Sequence, residues 1–178
     1  HRDLHSFPTR RSSDLGSVVV PSIEGTRPIL VEIQGLVGTN LFGMPRRTTI
    51  GVDHNRVSLL TSVMDKVWGK NISGHDVFLN VAGGIKVDEP AVDLGIVSAV
   101  LSSFLDRPID PQTVVLGEVG LTGEIRRVSQ IEERVKEAAR MGFKRCILPQ
   151  ISKSNLSASH KIKLFPVTDL RQLMECLF

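Results

Sequence analysis

The sequence has no tyrosine, a single tryptophan and only two cysteines among 178 residues. With no tyrosine, and the one tryptophan on an apolar helix face, the sequence offers no support for an RNP-type platform on which successive nucleic-acid bases stack. Cys146 and Cys176 lie far apart and match neither a zinc nor a redox spacing, so two reduced thiols are expected. No apolar run approaches the roughly 18 residues that a membrane-spanning helix needs. There is no Gly-x4-Gly-Lys-Ser/Thr loop to cradle a nucleotide's phosphates, and no four-cysteine zinc site. Charge is nearly balanced at +3, so a basic surface must come from clustering rather than from net charge.

Residues 1–15 carry Arg2, Arg10 and Arg11 against Asp3 and Asp14, and follow neither a helical nor a strand period. They hold no initiator methionine and no apolar signal core, so these residues are not expected to be a secretory peptide. The string resembles translated sequencing-adapter DNA and is expected to be a disordered, foreign tail. Residues 16–178 are long enough for one domain with a core.

Within that domain, a β-branched strand at 17–20 is expected to end at Pro21, and 29–37 alternates with Ile29, Val31 and Ile33 on one face. A strand over 46–52 precedes a helix capped within 53–55 and running through Trp68, whose buried face holds Val57, Leu60, Val63, Met64 and Val67. Val77, Leu79 and Val81 share a face of a strand over 76–82. The next segment, about 90–104, is apolar around most of a helix circumference and reads as the core helix. Asp88, Glu89 and Pro90 suit the positive end of that helix.

After a strand at 113–116, residues 117–127 form a hairpin with three glycines expected at positive φ. Ser129-Gln130-Ile131-Glu132 has the form of a capping box for a helix to Met141, terminated by Gly142. A buried strand at 145–148 ends at Pro149, a polar loop extends to His160, and a strand at 162–167 leads to a helix capped by Thr168. The order lacks a regular βαβ repeat, which predicts an α+β or mixed α/β domain.

Two stretches carry a resemblance. Asp88-Glu89-Pro90-Ala91-Val92-Asp93 is similar to the nucleophile loop Asp-Gly-Pro-Ser-Ala-Gly of Lon-type peptidases, and Gly117-Glu118-Val119-Gly120-Leu121-Thr122-Gly123-Glu124-Ile125-Arg126 to the hairpin before their lysine. With Val20-Pro21-Ser22-Ile23-Glu24-Gly25-Thr26-Arg27-Pro28, the wording over about 16–178 resembles the C-terminal Lon-like domain of the RadA (Sms) family of bacterial DNA-repair proteins. Magnesium-chelatase-like ATPases carry a related domain.

The resemblance implies the ribosomal protein S5 domain 2-like fold of Lon proteolytic domains. It places the serine position on Ala91 and the lysine position on Glu132, so the peptidase dyad is absent and no catalytic residue is assigned. Glu89 and Asp93 replace the glycines that let a peptide approach. Glu132 could accept a proton, but it has no nucleophile to activate. Ser98, Ser102 and Ser103 read as core or capping serines, and His54 beside Asp53 as a surface-turn histidine. Asp88, Glu89 and Asp93 look like a hard-metal cluster, yet the helix-opening role accounts for the first two, so no metal is expected.

The resemblance further implies a cytoplasmic protein assembling as a homo-oligomeric ring, a hexamer, whose ATP, Mg and Zn belong to upstream domains. It implies contact with single-stranded or branched DNA during branch migration in recombination, and possible contact with a recombinase filament. Arg46, Arg47, Arg56, Lys86, Arg126 and Arg127 are the candidate DNA contacts, sequence-independent and salt-sensitive. A strand directs adjacent arginines to opposite faces, so at most one of each pair serves a given surface. Two alternatives are a protein-interaction scaffold without DNA contact and a residual Ser-Lys-type peptidase.

Overall fold

The computed structural model describes residues 14–150 and 161–178. The expected tail, apart from Asp14 and Leu15, and nearly all of the polar loop before His160 lie outside the described residues. The strands are β1 (Ser17–Glu24), β2 (Arg27–Gly38), β3 (Arg47–Ile50), β4 (Asp76–Val81), β5 (Thr113–Val115), β6 (Glu118–Val119), β7 (Ile125–Arg126), β8 (Arg145–Pro149) and β9 (Lys163–Val167). The helices are α1 (His54–Trp68), α2 (Asp93–Leu105), α3 (Ile131–Arg140) and α4 (Leu170–Leu177).

Seven strands form one sheet in the order β3-β4-β2-β1-β5-β8-β9, and β6 and β7 form a separate hairpin. Four neighbouring pairs of the sheet are parallel and two, β1–β2 and β2–β4, are antiparallel. The architecture is therefore mixed α/β with a mostly parallel central sheet, consistent with the expected α+β class.

Successive residues of the central strand β1 serve opposite layers. Val18 and Val20 join the cluster made with α1, α2 and α4, while Val19 joins the cluster made with α3. All three are fully buried, as expected of a strand covered on both faces. The alternations in β2 and β4 hold: Val31, Ile33, Val77, Leu79 and Val81 all enter the first cluster. The core helix is buried from Asp93 through Ser102. Its serines have packing roles, with Ser98 Oγ donating to Leu94 O, Ser102 Oγ donating to Arg107 O, and Ser103 Oγ accepting from Val37 N.

Helix α2 lies close on β1 because Gly95 has no side chain: a Cβ there would meet Val20 Cγ2 at 2.2 Å and Ile33 Cδ1 at 3.1 Å. Gly95→Val is expected to cost about 2 kcal/mol through overpacking. A lower urea midpoint with an unchanged slope would show it, and an unchanged midpoint would refute it.

Several boundaries differ from expectation. Pro21 does not end β1, which continues through Glu24 paired to β2. Its carbonyl accepts from Arg134 Nη1, so its missing N–H faces away from β2, on the side where proline removes no ladder bond. The core helix is preceded by a 3-10 turn, Pro90–Val92, and becomes α-helical only at Asp93. No capping box forms at Ser129: α3 follows Gln130, in the left-handed region with no side-chain cap, and Ser129 O accepts from Arg134 Nε. Asp169, not Thr168, caps α4 by accepting from Gln172 N, while Gln172 Oε1 accepts from Thr168 N.

Other caps hold. Asp53 accepts from Arg56 N to start α1. Gly142 (φ 92) ends α3 in a Schellman arrangement, with Phe143 N donating to Ala138 O and Gly142 N to Ala139 O. In the β6–β7 hairpin, Gly117 and Gly123 take positive φ and Gly120 does not; its missing Cβ leaves room for the Glu124 carboxylate.

Candidate functional site

The loop that opens α2 is held from three sides. Ala91 is buried, and its carbonyl accepts from Gly117 N at 3.0 Å. Leu94 N donates to Gly117 O at 3.1 Å, which fixes the β6–β7 hairpin against the first turn of the helix.

Glu89 makes no side-chain capping bond to the turn it precedes. Its Oε1 accepts from Ser22 Oγ (2.7 Å), Ile23 N (3.0 Å) and Arg134 Nη1 (2.6 Å), and its Oε2 from Arg134 Nη2 (2.7 Å). Burial alone would raise the Glu89 carboxyl, but the hydrogen bonds from Arg134, Ser22 and Ile23 outweigh it and hold the group below its ordinary value. Arg134 is wholly buried and donates also to Pro21 O and Ser129 O. The fork geometry of a guanidinium suits this bidentate carboxylate.

A second arginine clamps Asp93. Asp93, fully buried, accepts from Arg56 Nε at 2.8 Å, from Arg56 Nη2 and from Val119 N at 3.0 Å. Arg56 Nη2 also reaches Val119 O. Hydrogen bonding to Asp93 pushes the Arg56 guanidinium up from its ordinary value against the effect of burial.

The chemistry on offer here is limited. The hydroxyl in this loop's network, on Ser22, faces a carboxylate made a poorer base by Arg134. Glu132 lies half exposed beside Lys136 at 3.9 Å instead of capping α3. Asp88 is exposed and has no partner among the described residues. Among those residues no group of three or more histidine, cysteine or carboxylate side chains could hold a metal ion. Both thiols are free, and burial pushes that of Cys146 up to about 12.

The six basic candidates divide by what their donors do. Arg47 gives Nη1 to His75 O and Nη2 to Ser73 O, each at 2.6 Å, and so closes a turn. Arg56 serves Asp93. Arg46 is 74% exposed although it reaches Asp76 at 3.2 Å. Arg126 is exposed and touches Glu124 at 2.9 Å and Glu118 at 4.0 Å. Glu124 is itself drawn down to about 2, chiefly by hydrogen bonds from Thr122. Lys86 and Arg127 are exposed and have no partner among the described residues.

Arg134 escaped the sequence reading. It sits between Ile131 and Val135/Ala138, on the face of α3 that turns inward, and a charge on an inward stripe is a signal that it must be paired.

Residues 31–152, which contain this loop, both arginine clamps and the hairpin, match the family described as subunit ChlI of Mg-chelatase. The chain belongs to that family. It is also similar to proteins named DNA repair protein RadA: 52% identical over 168 residues to that of Bacillus subtilis, covering 94% of this chain. The corresponding protein of Halalkalibacterium halodurans is 48% identical over 166 residues (93% of this chain). That of Streptococcus pneumoniae is 44% identical over 163 residues (92% of this chain). This ChlI-family chain spans only 36–39% of the length of those relatives. No helix among its described residues is long and apolar enough to cross a membrane.

Proposed function

We propose that this chain is a catalytically silent Lon-like domain, with the ribosomal protein S5 domain 2-like fold, of a cytoplasmic DNA-repair ATPase similar to RadA. It serves as a scaffold for a homo-oligomeric, hexameric ring and as a surface for single-stranded or branched DNA during branch migration, beside a recombinase filament. ATP, Mg and Zn act in other domains of that protein. The single observation that carries this reading is the filled nucleophile loop: Ala91 replaces the serine, and carboxylates locked by Arg134 and Arg56 replace the glycines. Both clamps tie the loop shut and leave shape and surface charge as the domain's means of action.

Lys86, Arg126, Arg127 and Arg46 are the donors available to phosphate, because Arg47 and Arg56 are engaged in holding the fold. Changing those four to alanine is expected to weaken binding to fluorescent single-stranded and branched DNA by about tenfold or more and to flatten its salt dependence, since each lost phosphate contact removes about 0.7–0.9 from the slope. Unchanged affinity in a variant with native circular dichroism would remove the DNA surface and leave the scaffold. A scaffold without DNA contact is favoured by the bare apolar loop at Leu41, Phe42 and Met44. Sizing the chain with and without DNA separates the two readings, and turnover of casein or a fluorogenic peptide would overturn both.

A further inference from the structure

The link between β2 and β3 exposes three large apolar side chains: Leu41 at 76%, Phe42 at 92% and Met44 at 86%. Single exposed hydrophobics are ordinary on protein surfaces, but a cluster marks an interaction site. The loop is tied from beneath. Asn40 Nδ2 donates to Met44 O at 2.9 Å and to Asp76 Oδ1 at 3.1 Å, Asn40 Oδ1 accepts from Phe42 N at 3.0 Å, and Arg46 N donates to Asp76 Oδ1 at 2.7 Å. These bonds hold the backbone that carries the apolar tip, which lowers the ordering entropy lost when a partner covers it.

The far end of β3 carries a complementary feature. Ile50 (58% exposed) and Ile85 (36%) wall an open cleft of about 440 Å³ with Gly51, Val52 and Val87. Asp53, His54, Lys86 and Asp88 also line it, so its carboxylates outnumber its one full cation, whereas Arg46, paired with Asp76 but largely exposed, flanks the knob. The knob precedes Arg47, opposite Val77 at the start of β4, and the cleft follows Ile50, opposite Asn80 near its end. Those four strand residues separate them by about 10–13 Å. The knob, tied in place, cannot fill its own cleft. Among the described residues β3 is also the outermost strand of the sheet, so both features lie along an edge that no described strand pairs.

Resting on the scaffold reading above, we infer that the Leu41–Phe42–Met44 knob of one copy of this chain seats in the Ile50–Ile85 cleft of the next, with Arg46 facing Asp53 and Asp88. Knob and cleft are different surfaces, so the contact is head-to-tail and propagates until rotation closes it into a ring.

Phe42→Asp and Ile50→Asp alter exposed side chains, and circular dichroism checks that each variant remains folded. In sedimentation velocity over a concentration series, the unaltered chain is expected to self-associate and each variant to do so about thirtyfold more weakly or worse. Mixing the two variants should yield a one-to-one heterodimer that grows no further, because the intact knob of Ile50→Asp meets the intact cleft of Phe42→Asp. Undiminished association of either variant, or a mixture that stays monomeric while the parent associates, overturns the knob-and-cleft contact alone. A parent that remains monomeric at every concentration overturns the scaffold reading with it.

Discussion

Arg134→Met is expected to lower the unfolding free energy by about 3–5 kcal/mol, the range for removing one partner of a buried ion pair. The methionine fills similar space, so little of the loss would come from a cavity. What disappears is four donated hydrogen bonds, two to Glu89 and one each to Pro21 O and Ser129 O. Glu89 then keeps only Ser22 and Ile23 N as donors in a largely buried position. Glu89→Leu added to Arg134→Met should recover part of the loss by removing the stranded carboxylate.

The pH dependence has a definite sign. The folded-state Glu89 carboxyl titrates below its ordinary value, so its contribution is complete above the ordinary carboxylate range and is lost as pH falls through the depressed value. The acid limb of stability in Arg134→Met should therefore be shallower than in the parent. Urea titrations across that range measure both effects, and a change under about 1 kcal/mol would mean that the clamp is incidental.

Asp93→Ala is expected to cost about 3 kcal/mol and to loosen one specific part of the molecule. Asp93 joins three elements: it starts α2, binds Arg56 of α1 and accepts from Val119 N of the hairpin. Its removal leaves a buried N–H without a partner and a partly buried guanidinium without its counter-charge. Amide hydrogen exchange in residues 118–126 should accelerate more than in β1 or β5, which lie on the central layers. Asp93→Gly, which places here the glycine of the Lon loop that this stretch resembles, should behave in the same way and not open a peptide groove. Uniform acceleration throughout the chain, or none, would contradict this role.

The two positions were visible in the sequence as departures from a glycine pattern, but their partners were not. Glu89 reads locally as a helix-opening charge, an explanation that any acidic residue before a proline invites. Its actual partner is 45 positions away, and that of Asp93 is 37 positions away. Arg56 reads in the sequence as a candidate DNA contact, whereas the packing of α1 beside α2 turns it toward Asp93. The Ser129–Glu132 pattern matched a capping box, yet Arg134 Nε engages the Ser129 carbonyl and the chain enters α3 through a left-handed Gln130.

By itself the sequence determined the parts governed by near neighbours. The alternation in β2 and β4, the Asp53 cap, the Gly142 terminator and the all-round apolar character of α2 follow from side-chain period and backbone preference within a few residues. Only the tertiary structure decided which charges are spent inside and which remain on the surface, and why Pro21 is tolerated within a central strand. Those outcomes depend on which element lies across the sheet from which. An ion pair or an unpaired strand edge is a property of two segments brought together, and local sequence specifies only one of them.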